Sequence, residues 1–168
     1  MKNLPFRIGH GYDLHRLEAD RKLVLGGIHI PHEKGLAGHS DADCLLHALA
    51  DAIFGALGLP DIGYHFPDHD PKNKDLDSMI ILERSVAVCK DAGYIIGNVD
   101  VVILAEEPKM TPHLDKIRES LGKTLETTAD RIGLKATTNE GLGEVGRKEA
   151  IAAHAVCLLM HEENGTNY

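Results

Sequence analysis

The apolar positions of this chain repeat with two different periods. Leu45, Leu46, Leu49, Ile53 and Leu57 recur at helical spacing and predict a helix through the stretch Gly38–Gly55 and just past it. Ser40, followed three residues later by Asp43, is a capping pattern for its start. Asp43, His47 and Asp51 are four apart and share a second face, so the helix is expected to present an imidazole flanked by carboxylates, with His39 just ahead of it. Phe6–His15 alternates as a strand. Gly9, Gly11, Asp13 and His15 point one way, and Ile8, His10, Tyr12 and Leu14 the other. The two glycines leave the first face bare, so that something can approach the backbone closely.

The remaining segments follow the same two periods. Lys22–Ile30 reads as a strand bent at Gly26-Gly27, and Pro31–Gly38 as loop. Gly58–Asp77, with three prolines and many aspartates, is expected to be irregular. Ser78–Ala92 predicts a helix capped by Asp77 or Ser78 and stopped by Gly93. Ile95–Ala105 is a near-continuous apolar run, the pattern of a central strand. Thr111-Pro112 is an N-cap and N1 pair opening a helix to about Leu125. Ile132–Thr138 and Ala150–His161 complete the strands. Short connections without repeat or linker predict a single domain over residues 1–168, of the α/β class, with helices mainly on one side of one mixed sheet.

Composition narrows the function. Aromatic residues make up 4% and Trp is absent, which argues against a stacking platform for single-stranded nucleic acid. A formal net charge of −8 argues against general nucleic-acid or anionic-membrane binding, and a phosphate ligand would need local cations. No long uncharged apolar run is present to span a bilayer. Cys44, Cys89 and Cys157 are scattered and odd in number, and the N-terminus lacks a signal-peptide pattern, so a cytoplasmic protein is expected. Eleven histidines raise the prior on metal or proton chemistry.

Three constellations carry candidate chemistry. Asp13 and His15, at strand spacing, with His47 from the helix, make a three-ligand set with an open fourth position, the design of a catalytic zinc site. A solvated Asp and two unrelated histidines is the competing reading. The same set also serves non-haem iron oxygenases, but a ligand on a capped helix disfavours their all-β housing. Thr137, Thr138 and Asn139 at a strand end offer hydroxyls and an amide to a phosphate or sugar, although on spacing alone β- and turn propensity explain them better. Asp68 and Asp70 either accept substrate hydroxyls or hold a hard cation, or form a solvated acidic loop. Gly141, Gly143 and Gly146 match a dinucleotide fingerprint, but only 22 residues follow, too few for the rest of that fold.

The blocks FRIGHGYDLHRL, LGGIHIPHEKGLAGHSDADCLLHALADAIFGALGLPDIGYHFPD, GNVDVVILAEEPKM and LKATTNEGLGEVGRKEAIA together resemble the 2-C-methyl-D-erythritol 2,4-cyclodiphosphate synthase family, from about Arg7 to Leu159. The resemblance implies an α+β sandwich: a four-stranded mixed sheet with helices on one face and a small N-terminal hairpin extension. It implies a homotrimer with active sites between subunits, and an enzyme of non-mevalonate isoprenoid biosynthesis. That enzyme converts 4-diphosphocytidyl-2-C-methyl-D-erythritol 2-phosphate to the 2,4-cyclodiphosphate and CMP.

Site roles follow by position. Zn2+ is implied at Asp13, His15 and His47, and Mg2+ or Mn2+ across the substrate diphosphate. His39 and Ser40 match phosphate-side contacts, with His39 and Thr138 in the transition-state-stabilising positions. Asp61, Ile62 and Gly63, with Phe66, Pro67, Asp68, His69 and Asp70, match the loop holding the methylerythritol hydroxyls. Ala105 to Thr111, including Pro108, Lys109 and Met110, matches the cytosine pocket, and Thr137, Thr138, Asn139 and Glu140 close over the CDP phosphates and ribose. Many members carry Phe where this chain has Glu144, lining an apolar cavity on the trimer axis. Glu144 beside Arg147 is expected to form an ion pair, and that cavity is not expected to hold an isoprenoid diphosphate in the same way. A zinc-dependent hydrolase and a non-enzymatic metal-binding trimer are the rival readings.

Overall fold

Small residues on both sides of one interface set the architecture. The computed structural model describes residues 5–67, 70, 73 and 76–162. Strand β1 (Phe6–Ala19) pairs antiparallel with β7 (Ala150–His161), and β7 pairs antiparallel with β5 (Tyr94–Leu104). Strand β6 (Ile132–Thr137) lies parallel to β5 at one edge, and the short β4 (Lys34–Leu36) pairs with β1 at the other. The order is β4-β1-β7-β5-β6.

The expected class stands, with a correction to the count. The sheet has five strands rather than four, because the segment expected to be loop between Pro31 and Gly38 contributes β4. Lys22–Ile30 is likewise not one bent strand. It is a hairpin of β2 (Leu23–Leu25) and β3 (Ile28–Ile30), turned at Gly26 and Gly27, both at positive φ.

Helix α1 (Cys44–Leu57) lies across β1 and β7. A Cβ placed on Gly9 would sit 1.8 Å from the Ala52 carbonyl oxygen, and one on Gly11 1.9 Å from that of Ala48. What approaches the bare face of β1 is therefore helix backbone. Ala153 and Ala155 continue this small surface on β7, fully buried under the helix. Leu45, Leu46, Leu49, Ile53 and Phe54 fill the surrounding core. Helices α3 (Ser78–Asp91) and α4 (Leu114–Leu125) extend the helical layer, α3 packing on α1 and α4 on β6.

Three boundaries differ from expectation. The N-cap of α1 is Asp43, whose Oδ1 accepts from Leu46 N–H, rather than Ser40. The irregular stretch after Gly58 contains a single helical turn, α2 (Ile62–His65), capped by Asp61. Thr111-Pro112 opens a 3-10 turn, Thr111–His113, with no side-chain cap, and the α-helix begins at Leu114. Another single turn, α5 (Gly143–Gly146), precedes β7. No helix among the described residues is long and apolar enough to cross a membrane.

Candidate active site

The close seat of α1 on β1 has a direct chemical result. His47, in the first turns of α1, is brought over the end of β1, where Asp13 and His15 project from the same face as Gly9 and Gly11. Asp13 Oδ2 lies 2.9 Å from His47 Nδ1 and 3.0 Å from His15 Nε2, and the two imidazole nitrogens are 3.2 Å apart. The other ring nitrogens are committed. His15 Nδ1 donates to the Ala37 carbonyl at 2.7 Å. His47 Nε2 donates to Ser78 Oγ at 2.8 Å, and the Ser78 hydroxyl donates to Asp41 Oδ1. These tautomers turn two imidazole lone pairs and a carboxylate toward one point, an arrangement that needs a cation.

The electrostatics carry the same mark. Burial raises the pKa of the Asp13 carboxyl, but hydrogen bonds and charge from His15 and His47 outweigh it and hold it well below the usual carboxylate range. Burial lowers that of His15, yet the Asp13 hydrogen bond and charge leave it raised. Among the described residues this trio is the one His/Cys/Asp/Glu group whose donor atoms gather closely enough to hold a metal. Two imidazoles and a carboxylate, partly exposed, leave a coordination position free for substrate.

The carboxylates expected beside His47 do other work. Asp43 is fully buried and faces the hairpin, accepting from Gly27 N–H as well as Leu46 N–H. Burial pushes its pKa up to about 6 against those donors. Asp51 accepts from Ile62 N–H at 2.8 Å and ties α2 to α1. Their spacing was legible, but which neighbours they would meet was not.

The trio opens into a cavity of about 250 Å³. His39 and Ser40 line it, as do Ile62, Gly63 and Phe66 from the segment expected to hold a polyol. Asp61 caps α2 and Pro67 accepts from the Asn73 side chain. Asp70 is described, whereas the expectations for Asp68 and His69 lie outside the described residues. Asn73, Leu76 and Ile81 also line the cavity and carry no motif that would have singled them out. Asp41 and Ser78 were missed as well, and the only signal for them was their nearness to His39–Ser40 and to the cap of α3.

The second expected cluster forms elsewhere. Residues 105–111 leave the end of β5, and 137–140 leave the end of its parallel neighbour β6, joined by the Ala105 N–H to Thr137 carbonyl bond. Ala105 and Met110 are buried, Lys109 and Thr111 exposed, and Pro108 follows a cis peptide bond. Asn139 to Leu142 make a turn with Glu140 and Gly141 both at positive φ. For the non-glycine Glu140 that conformation costs about 1–2 kcal/mol. Thr138 Oγ1 lies 3.2 Å from Glu140 Oε1.

None of these residues lines the cavity of the trio. Two strands, β7 and β5, separate β1 from β6, a distance of roughly 14 Å at ordinary strand spacing. Arg147 pairs chiefly with Glu149, at 3.2 and 3.0 Å, while Glu144 stands off at 3.7 Å as the weaker partner of the expected pair.

The chain matches the sequence profile of the YgbB family over residues 6–160. A 2-C-methyl-D-erythritol 2,4-cyclodiphosphate synthase of Trichlorobacter lovleyi is 57% identical over 154 residues, 92% of this chain and 98% of that one. The structure of the bifunctional IspDF from Campylobacter jejuni superposes with a TM-score of 0.89 at 38% identity, over 93% of this chain and 42% of that longer one. A 2C-methyl-D-erythritol-2,4-cyclodiphosphate synthase bound to CDP superposes with a TM-score of 0.85 at 39% identity, over 91% of this chain and 99% of that one.

Proposed function

This chain belongs to the YgbB family, the 2-C-methyl-D-erythritol 2,4-cyclodiphosphate synthases, and on that premise we propose that it cyclises its substrate at the cavity beside Asp13, His15 and His47. The reaction is intramolecular. An oxygen of the 2-phosphate of 4-diphosphocytidyl-2-C-methyl-D-erythritol 2-phosphate bonds to the β-phosphorus. The bond from that phosphorus to the bridging oxygen breaks, and CMP departs with that oxygen. No water is consumed, and the enzyme is a phosphorus–oxygen lyase.

The residues have a task suited to such chemistry. A phosphate dianion is already a nucleophile, so no protein base is required, and positioning with charge neutralisation does most of the work. Aligning two groups of one folded substrate is worth up to roughly 7–11 kcal/mol of the barrier. Asp13, His15 and His47 hold Zn2+ in this reading. When bound, such an ion supplies Lewis-acid charge to a phosphate oxygen, and Mg2+ or Mn2+ serves the diphosphate similarly. His39 and Ser40, beside the trio, donate to phosphate oxygens. Ile62, Gly63 and Phe66, with Asp61, Pro67 and Asp70, enclose the methylerythritol. Residues 105–111 receive the cytosine, and Thr137, Thr138, Asn139 and Glu140 receive the ribose and phosphates, with Thr138 donating to the phosphate under attack.

The split between the two clusters supports a homotrimer, in which the nucleotide loops of one copy complete the cavity of the next. The outer face of the sheet supports it further. Ile8 is 68% and Phe6 59% exposed, and Tyr12, Leu14 and Val156 are also exposed there. A single domain and a reducing cytosolic setting also fit: all three cysteines are free and buried, and burial pushes their pKa values up.

The convergence of Asp13, His15 and His47 at the mouth of a cavity is the observation on which this reading rests most. Turnover in 18O-water tests it. We expect one CMP per cyclodiphosphate and no solvent oxygen in either product. Incorporation of 18O would establish the hydrolase instead, and a metal-loaded protein that left the substrate untouched would leave only the binding protein.

A further inference from the structure

One carboxylate of the 105–111 segment, so far given no role of its own, joins the two nucleotide loops. Glu106 is the first residue past Ala105 after β5. Its Oε1 accepts from Asn139 N–H at 2.9 Å and from Gly141 N–H at 3.1 Å. These two N–H groups bracket Glu140, which sits at φ +51°, and Gly141 follows at φ +77°. A turn of this shape is disfavoured for a non-glycine residue and needs something to hold it. Two charge-assisted bonds to one oxygen, from a residue of the neighbouring loop, supply that hold. The adjacent Glu107 turns the other way and pairs with Lys148 Nζ, so the loop is tied on both sides.

We propose that Glu106 is a positioning residue that locks the 138–141 turn against the 105–110 loop and so preforms the pocket for the cytidine diphosphate portion of the substrate. The inference rests on the nucleotide reading of these loops given above. Glu106 need not touch the substrate. It acts by fixing where the Thr138 hydroxyl and the Asn139 backbone stand, because the Thr138 Oγ1 and Glu140 N–H also belong to this turn, 3.4 Å apart. Preordering a loop lowers the cost of binding without adding a contact.

The test uses the metal-loaded full chain, Glu106→Ala and Glu106→Gln, with CDP as the probe. Calorimetry is expected to show CDP affinity falling about tenfold in E106A and staying within about threefold of the parent in E106Q, which retains an acceptor oxygen. Amide exchange at Asn139 and Gly141 should quicken in E106A and not in E106Q. With the full substrate, KM should rise in E106A by more than kcat falls. Bound metal and melting temperature should match the parent in both variants. Equal CDP affinity in E106A and the parent would overturn the lock while leaving the nucleotide reading intact. Failure of the parent itself to bind CDP would overturn both.

Discussion

Strand β1 serves two different purposes on alternate residues, and the contrast organises the molecule. Its inner face runs from Gly9 and Gly11 to Asp13 and His15, closed by the backbone of α1 and ending in the trio that Asp13 and His15 form with His47. Its outer face carries Ile8, His10, Tyr12 and Leu14, all exposed, with His10 and Tyr12 meeting only the ring of His154 on β7 among the described aromatic contacts. On the inner face geometry is fixed within one chain, so a change there is felt in the fold or in the chemistry. On the outer face the apolar residues have no cover from the described residues of their own chain. Changes there should spare the fold and fall on association.

The sharpest break of this contrast is Gly11→Val. The new side chain would begin inside the Ala48 carbonyl, and neither helix nor strand can retreat without opening the core. We expect a loss of about 5 kcal/mol, visible as unfolding or insolubility at ordinary temperature. A variant folding with near-normal stability would show that α1 is not pinned where it lies.

Next in size is His47→Ala, which removes a ligand without disturbing the glycine contact. Bound metal should vanish and kcat/KM should fall by roughly 10²–10³-fold, about 3–4 kcal/mol of transition-state stabilisation, with circular dichroism and assembly unchanged. Metal analysis beside turnover checks it, and near-normal turnover would remove the trio from the mechanism.

Asp43→Asn probes the inner layer by pH. The carboxyl rises from 3.8 to about 6 on folding, burial being the main cause. The folded state therefore holds the proton more tightly than the unfolded one. The associated stability is fully present below pH 4 and is lost as pH rises through 6, about 3 kcal/mol in all. Denaturant unfolding at several pH values should show this loss in the parent and its absence in D43N. Parallel pH curves for the two proteins would place the titration elsewhere.

The smallest effect on the fold is expected from Ile8→Asp. An exposed residue on the outer face should change single-chain stability by no more than about 0.5 kcal/mol. It should nevertheless break the proposed association, since a charge would enter an apolar contact. Sedimentation velocity separates these outcomes, and an unchanged oligomer would move the interface to another surface.

The alternation along β1, the helical period from Leu45 to Leu57 and the apolar run of β5 were all legible, because they follow from local side-chain direction and burial. The three residues of the trio were legible too, as residue types with suitable spacing that the fold brings together. The errors share a cause. Ser40 read as the cap with Asp43 as the first-turn carboxylate, and only the tertiary structure, with Asp43 accepting from both Gly27 and Leu46, puts the cap at Asp43. Strand β4 is three residues long and exists because β1 overhangs the sheet and offers it an edge. Glu106 lay inside a recognised motif, but nothing local says that its carboxylate would reach across to Asn139.

The sequence by itself determined which residues were available, which faces were apolar, and that two glycines would admit a close neighbour. Only the tertiary structure decided that the neighbour is the backbone of α1, set so that His47 comes over Asp13 and His15. Spacing along a chain constrains directions within one element. Distances between elements depend on how far each can sink into the other, and here that depth is set by Gly9, Gly11, Ala48 and Ala52 acting together.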